Sequence, residues 1–322
     1  MEERLLPINT LLSLLLPNDV TPPALANGGF RLGGLEIPAA GAAGAVTIDC
    51  LLSHADTNHL VLVEAKSGPN IEEEQAVKYG QLHASAVVQS AYVTLSVRTP
   101  PTAETVYLCL GTHLERVGLG LANAGLGYPI MTVSESLVSL ERASAASAGL
   151  RAVFADGPVS LLGPPARMIL FDQDSDVEVI KPRVLAVLVA AMAQRLTQLT
   201  LVSLAERATP HFALYGRQAQ QKIKSKVGHA ARQIANEEPS SFHYLPTTGS
   251  REGLVKILRT PEDNAFQGRT QAYQAVGRAT KPRKTRKTVE VVANQMDLLA
   301  ELDTVDNASG DGATLDGGEG ER

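Results

Sequence analysis

The sequence predicts an α/β domain built on a mixed sheet flanked by helices, followed by a smaller α+β module and a polar tail. Three observations carry this prediction. Two apolar, β-branched runs, Ala45 to Leu52 (AVTIDCLL) and His59 to Ala65 (HLVLVEA), flank a polar connection from Ser53 to Asn58, the pattern of a β-hairpin. Helical and strand-like stretches then alternate to about residue 150, as in a mixed sheet with helices on its faces. Residues 182–235 turn helical, two short strand-like runs follow, and beyond Pro261 apolar periodicity is lost.

Taken in order, residues 5–16 carry a leucine-rich helical pattern that stops at Pro17. The Gly/Pro/Ala-rich stretch from Pro22 to Ala45 reads as loop with one strand at Phe30 to Ile37. After the hairpin, Ile71 to Gln89 is expected as one helix. Glu72, Glu73 and Glu74 in its first turn complement the helix dipole and need no catalytic role. Strands are expected at Ala91 to Val97, Thr105 to Leu110 and Ile130 to Val133, and a helix at Glu135 to Arg142. The first domain therefore spans 1–150, with a Gly/Pro-rich connection over 151–181. Helices at Arg183 to Leu199, Leu201 to Phe212 and Arg217 to Asn236 open the second module, 182–260. Strands at Phe242 to Tyr244 and Gly253 to Leu258 close it, joined by a loop whose tip holds Arg251. Residues 261–322 form a basic linker and an acidic tail, with disorder expected from about residue 300.

With 322 residues, the chain is long enough to bury two cores, and the absence of Trp makes them mainly aliphatic. The longest apolar run, Val184 to Ala193, is about half the roughly 20 residues of a membrane-spanning helix. Glu2, Glu3, Pro7 and Pro17 give the N-terminus neither the basic flank nor the unbroken apolar run of a signal peptide. A cytoplasmic protein without membrane attachment is expected. Cys50 and Cys109 sit in apolar runs with no zinc-ligand partner nearby and read as core residues. The seven histidines form no helical metal site. No G-x-S-x-G elbow or G-x-x-x-x-G-K-[ST] loop occurs, which excludes ATP-driven motor chemistry, and the run Gly118, Gly120, Gly125, Gly127 does not fit G-x-G-x-x-G, because Asn123 holds the third glycine position.

Charge is segregated along the chain. Residues 1–189 hold 11 Lys and Arg against 19 Asp and Glu, a balance of −8; residues 190–290 hold 17 against 7, or +10; residues 291–322 hold 1 against 8, or −7. A cationic block inside an acidic chain points to a polyanion partner. Lys222, Lys224, Lys226, His229 and Arg232 fall on the third expected helix, and Arg251 at the loop tip; together they are the candidate nucleic-acid-binding residues. A solvated cationic helix is the plainer alternative. A second cluster, Lys281, Arg283, Lys284, Arg286 and Lys287, suits phosphate contacts without sequence preference, and the acidic tail would compete for it.

If the hairpin turns between Asp56 and Thr57, His54 faces His59 and Asp49 faces Glu64, with Lys66 on the face of Glu64. Two opposed carboxylates repel unless a cation neutralises them, which is how a divalent metal site is built. A solvated hairpin end is the plainer alternative. D49-x14-E64-A-K66 resembles the signature of the PD-(D/E)XK, restriction-endonuclease-like nuclease superfamily, and Gln75 and Tyr79 resemble the Q-x-x-x-Y element of several of its families. The resemblance implies a restriction-endonuclease-like mixed sheet and a catalytic set of Asp49, Glu64, Lys66, Gln75 and Tyr79. It places Mg²⁺, with Mn²⁺ as a substitute, at Asp49, Glu64 and Ala65. Ile48 stands where that superfamily has a proline, and its first-helix acid has only Glu2 and Glu3 as counterparts.

Three helices and a hairpin resemble a winged helix-turn-helix. The combined expectation is a Mg²⁺-dependent deoxyribonuclease of restriction, repair or mobile-element defence, with DNA as partner, RNA left open, and a homodimer or partner proteins conceivable. The alternatives are a non-catalytic winged-helix regulator with a degenerate nuclease-like domain, and a protein-interaction scaffold.

Overall fold

A computed structural model describes residues 3–19, 21–54, 56–91, 93, 95 and 99–258. The basic cluster at 281–287, the acidic tail and most of the strand expected at 91–97 lie outside the described residues. The described residues form a mixed α/β protein of two compact units, one of the residues up to 174 with 209–223 and one of residues 175–208 with 224–258.

The first unit opens with α1 (Leu6–Ser13) and the short α2 (Ala24–Asn27), then a meander of β1 (Phe30–Gly41), β2 (Gly44–His54) and β3 (His59–Lys66). Then come α3 (Glu73–Gly80), α4 (Ala84–Ser90), β4 (Thr102–Leu110), α5 (Leu114–Asn123), β5 (Ile130–Val133), β6 (Leu137–Glu141), α6 (Ala148–Val153) and the two-residue β7 (Val159–Ser160). The seven strands form one sheet in chain order; β3, β4 and β5 are mutually parallel and the other neighbours antiparallel. The apolar run Leu60 to Val63 is at most 1% exposed, as a strand with a parallel neighbour and both faces covered requires. α1 packs on β3 and β4, α3 on β2, α4 on β1, and α5 on β4 and β5. Cys50 and Cys109 are free thiols in the core.

Three expectations are corrected. The helix expected over 71–89 is two, because α3 stops at Gly80, a poor helix former, and the chain restarts with His83 extended. The region 135–142 is not helical. Its Leu137–Glu141 stretch pairs with β5 through a tight turn in which Ser134 and Leu137 exchange hydrogen bonds, and this pairing overrides the local helical spacing. The strand expected over Phe30 to Ile37 extends to Gly41, carried by its pairing with β2.

The second unit holds α7 (Val177–Ala193), β8 (Gln198–Thr200), α8 (Leu201–Ala208), most of α9 (Arg217–Glu237), β9 (Phe242–Leu245) and β10 (Leu254–Ile257). The helix expected from Arg183 begins at Val177, with Pro182 inside it, and ends at Ala193. Arg195 turns left-handed (φ 60), and Gln198–Thr200 then leaves the helix to pair with β10. Strand order is β8-β10-β9, all antiparallel. Between β9 and β10, Thr248 and Arg251 exchange backbone hydrogen bonds around Gly249 (φ 57), a turn that favours glycine. No helix among the described residues is long and apolar enough to cross a membrane.

Candidate active site

The β2–β3 hairpin has the expected register, from His54↔His59 to Cys50↔Val63. The ladder stops one pair short of Asp49 and Glu64, which no ladder hydrogen bond joins. Instead the Asp49 carboxylate accepts the Ala65 N–H at 2.6 Å, a bond a strand neighbour would otherwise take. On the other side of β2, Leu35↔Cys50 and Ile37↔Ile48 bracket Glu36 and Asp49 as register neighbours. Acids on β1, β2 and β3 therefore stand in one row across the meander.

Glu64 is 3% exposed, and its two oxygens have separate partners. Oε1 pairs with Lys66 Nζ at 2.6 Å, and Oε2 lies 2.6 Å from the Tyr79 hydroxyl. That hydroxyl also lies 2.7 Å from the Thr47 carbonyl oxygen, so its single proton serves two acceptors. Burial, then the charges of Glu64 and Asp49, push the Tyr79 phenol upward and keep it protonated. Gln75 lies half-buried one turn earlier on α3. The structure thus gathers Asp49, Glu64, Lys66 and Tyr79 around one strand end, with Gln75 on the flanking helix.

Burial raises the Asp49 carboxyl well above the usual range, and the charges of Glu64 and Glu36 add to this. The Ala65 hydrogen bond and Lys66 oppose the shift. Glu36 is pushed up to about 7 by burial, Asp172, Asp174 and Glu64, against the pull of Lys222. It has φ 50, a left-handed backbone uncommon outside glycine and on the order of 1–3 kcal/mol unfavourable. Gln173 Nε2 donates to Glu36 Oε2 at 2.9 Å, and the Asp174 N–H donates to Asp172 Oδ1 at 2.8 Å. Arg4 grips Asp172 through both terminal nitrogens at 2.5 and 2.6 Å. Glu36, Asp49, Ala65, Asp172, Asp174 and Tyr215 help line a cleft of about 160 Å³.

Glu36, Asp172, Asp174 and Tyr215 are not among the sequence candidates. The visible signal was a lone acid inside the apolar GGLEIP run and the FDQDSD stretch, but nothing local places either beside Asp49. Glu36, on β1, is the register neighbour of Asp49, whereas the sequence reading looked for a further acid at Glu2 and Glu3.

Among the described residues no three His, Cys, Asp or Glu side chains form a ready metal-holding group. The donors at the row are nonetheless all oxygen, which suits Mg²⁺ or Mn²⁺. Like-charge crowding that raises both Asp49 and Glu36 is what a divalent cation would relieve. Asp49 Oδ2 and both Glu64 oxygens are engaged, but each carboxylate oxygen has two lone pairs, so acceptor capacity remains.

Of the basic candidates, Lys222 belongs to the first unit and is exposed. In the second unit His229, Arg232 and Arg251 are exposed, while Lys224 and Lys226 are half-buried. Lys226 Nζ donates to the Ser175 carbonyl at 2.6 Å, so one of its three N–H groups is spent inside the unit.

Residues 4–109 match the model of the MJECL32 domain. That stretch includes Glu36, Asp49, Glu64, Lys66, Gln75 and Tyr79, and stops before Asp172 and Tyr215. No curated protein and no solved structure matches the chain.

Proposed function

We propose that this protein is a metal-dependent nuclease that hydrolyses DNA phosphodiester bonds with Mg²⁺ or Mn²⁺. The observation that carries the reading is the row of carboxylates at the end of the β2–β3 ladder, Glu64 buried and Asp49 and Glu36 half-buried, with an ammonium at 2.6 Å from Glu64. Such a row is unfavourable for the fold alone and suits a site that takes up a cation.

The restriction-endonuclease-like reading of the first unit is supported by its element order. A helix precedes a three-stranded meander, and helices then lead to a strand parallel to the third. The meander carries Asp49 and the Glu64-Ala65-Lys66 run, and α3 delivers Tyr79 to Glu64. Asp49, Glu64 and the main chain at Ala65 would hold the metal, which when bound polarises a phosphoryl oxygen and acidifies a water. Lys66, paired with Glu64 at 2.6 Å, would offset charge building on the phosphoryl group. Tyr79 fixes the rotamer of Glu64 and excludes water from its buried side.

The second reading, a non-catalytic DNA-binding regulator, is favoured by the second unit. Its helix–strand–helix–helix–hairpin order and β8-β10-β9 sheet support a winged helix-turn-helix. Arg251 closes the turn of its wing, and His229 and Arg232 are exposed on α9.

Cleavage of supercoiled plasmid and single-stranded DNA in Mg²⁺, Mn²⁺ or EDTA decides between the two. The wild type should cut only with metal, and Asp49→Ala and Lys66→Ala should each lower the rate by at least about 100-fold. DNA binding without cleavage, equal in all three proteins, would overturn the nuclease reading in favour of the regulator.

A further inference from the structure

The cleft beside Glu36 and Asp49 has one wall that comes from late in the chain. Tyr215 follows a short 3-10 turn (Phe212–Leu214) and forms a parallel bridge with Leu35 of β1. The Gly216 N–H donates to the Leu35 carbonyl at 2.8 Å, and Gln220 Nε2 donates to the Tyr215 carbonyl at 2.8 Å. This seat admits only glycine at position 216, because a Cβ there would stand 2.3 Å from the Glu36 carbonyl oxygen.

Held in this way, the Tyr215 side chain is 2% exposed and its hydroxyl has no hydrogen-bond partner. A buried donor without an acceptor is unfavourable and rare in folded proteins. Burial and the charges of Asp172 and Glu36, two acids of the cleft, push the phenol upward, so it stays a donor at any working pH. The fold thus fixes one neutral O–H beside an acid-rich cleft and gives it nothing to bond. Tyr215 lines the cleft, so an acceptor can come with a ligand. Four carboxylates line the cleft and Arg4 answers only Asp172 among them, so an anionic oxygen enters best together with a cation, as the oxygens of a metal-bound phosphoryl group do.

We infer that the Tyr215 hydroxyl is a substrate contact that donates to a phosphoryl oxygen of the strand bound in this cleft. The inference rests on the nuclease reading for the identity of that group. Tyr215→Phe removes the hydroxyl and keeps the ring. The variant should melt at or above the wild-type temperature, because the hydroxyl makes no bond within the fold. Its affinity for inorganic phosphate in Mg²⁺, measured calorimetrically, should fall by about tenfold, and kcat/KM for DNA cleavage should fall by a similar factor.

A lowered melting temperature would place the partner of the hydroxyl inside the protein and overturn the inference. So would phosphate binding that is absent from the wild type or unchanged in the variant. The two readings fail separately. If the wild type cuts DNA and Tyr215→Phe equals it in cleavage and phosphate affinity, the nuclease stands and the contact falls. If the wild type does not cut but the variant loses phosphate affinity, the contact stands and the nuclease falls.

Discussion

Glu36 joins a left-handed backbone to a carboxyl that titrates near neutrality, and both strains arise where β1 meets the acid row. Its folded value of about 7 lies above its ordinary 4.5, so the folded protein holds this proton more tightly than the unfolded chain does. The favourable contribution is complete below about 4.5 and is lost as pH rises through about 7. Glu36→Gln should therefore leave the melting temperature unchanged at pH 4.5 and raise it at pH 8 in EDTA. Calorimetric melts of both proteins across that range check this; a constant difference between them would mean that Glu36 does not feel its neighbours. Mg²⁺ at pH 8 should raise the wild-type melting temperature by binding only the folded row. Asp49 and Glu64 were legible in the sequence because a hairpin fixes its own register once the turn is placed, and the pairs from His54↔His59 inward follow it. Glu36 was not legible, since its place depends on which strand β2 takes as its second neighbour.

Strands whose partners adjoin them in sequence, β2 with β3 and β9 with β10, were legible to within a residue or two. β6 was misread as helix because Ser134 to Ser136 gives a turn only when β5 is there to receive Leu137. α3 shows how an element becomes part of a site. Glu73 and Glu74 begin it, Ala76 and Tyr79 bury one face, and it ends at Gly80, one residue after Tyr79. That hydroxyl ties the helix to β2 through Thr47 and to β3 through Glu64, so removing it acts on three elements at once. Tyr79→Phe should destabilise the protein by about 1.5–3 kcal/mol in urea unfolding, because a buried carboxylate loses a charge-assisted donor. It should also lower cleavage through Glu64 while leaving Tyr215-dependent phosphate binding in place. A loss of stability near zero would indicate that Lys66 alone holds Glu64.

At the scale of the molecule, composition suggests a boundary near residue 150, where the sheet pattern gives way to Gly and Pro. The first compact unit instead runs to residue 174 and takes back residues 209–223. The reason is the N-terminal helix. Its face is buried from Pro7 to Ser13, and beside bonds to its own backbone the polar groups on it take further partners after residue 150. Asn9 exchanges two hydrogen bonds with the Ile169 backbone at 3.0 and 2.7 Å, Ser13 accepts from the Ala166 N–H at 3.1 Å, and Arg4 pairs with Asp172 across 168 positions. A fragment of residues 1–150 would keep every residue of the nuclease-like motif and lose all of these partners, together with Asp172, Asp174 and Tyr215 from the cleft. Buried polar groups left unpaired cost about 1–3 kcal/mol each, which is a large share of the roughly 5–15 kcal/mol that stabilises a domain. The fragment should therefore melt without a sharp transition and bind no Mg²⁺ in titration calorimetry. Sharp melting of the short fragment at the full-length temperature would mean that residues 151–174 and 209–223 decorate the first unit rather than complete it, and that its metal chemistry lies wholly within the meander.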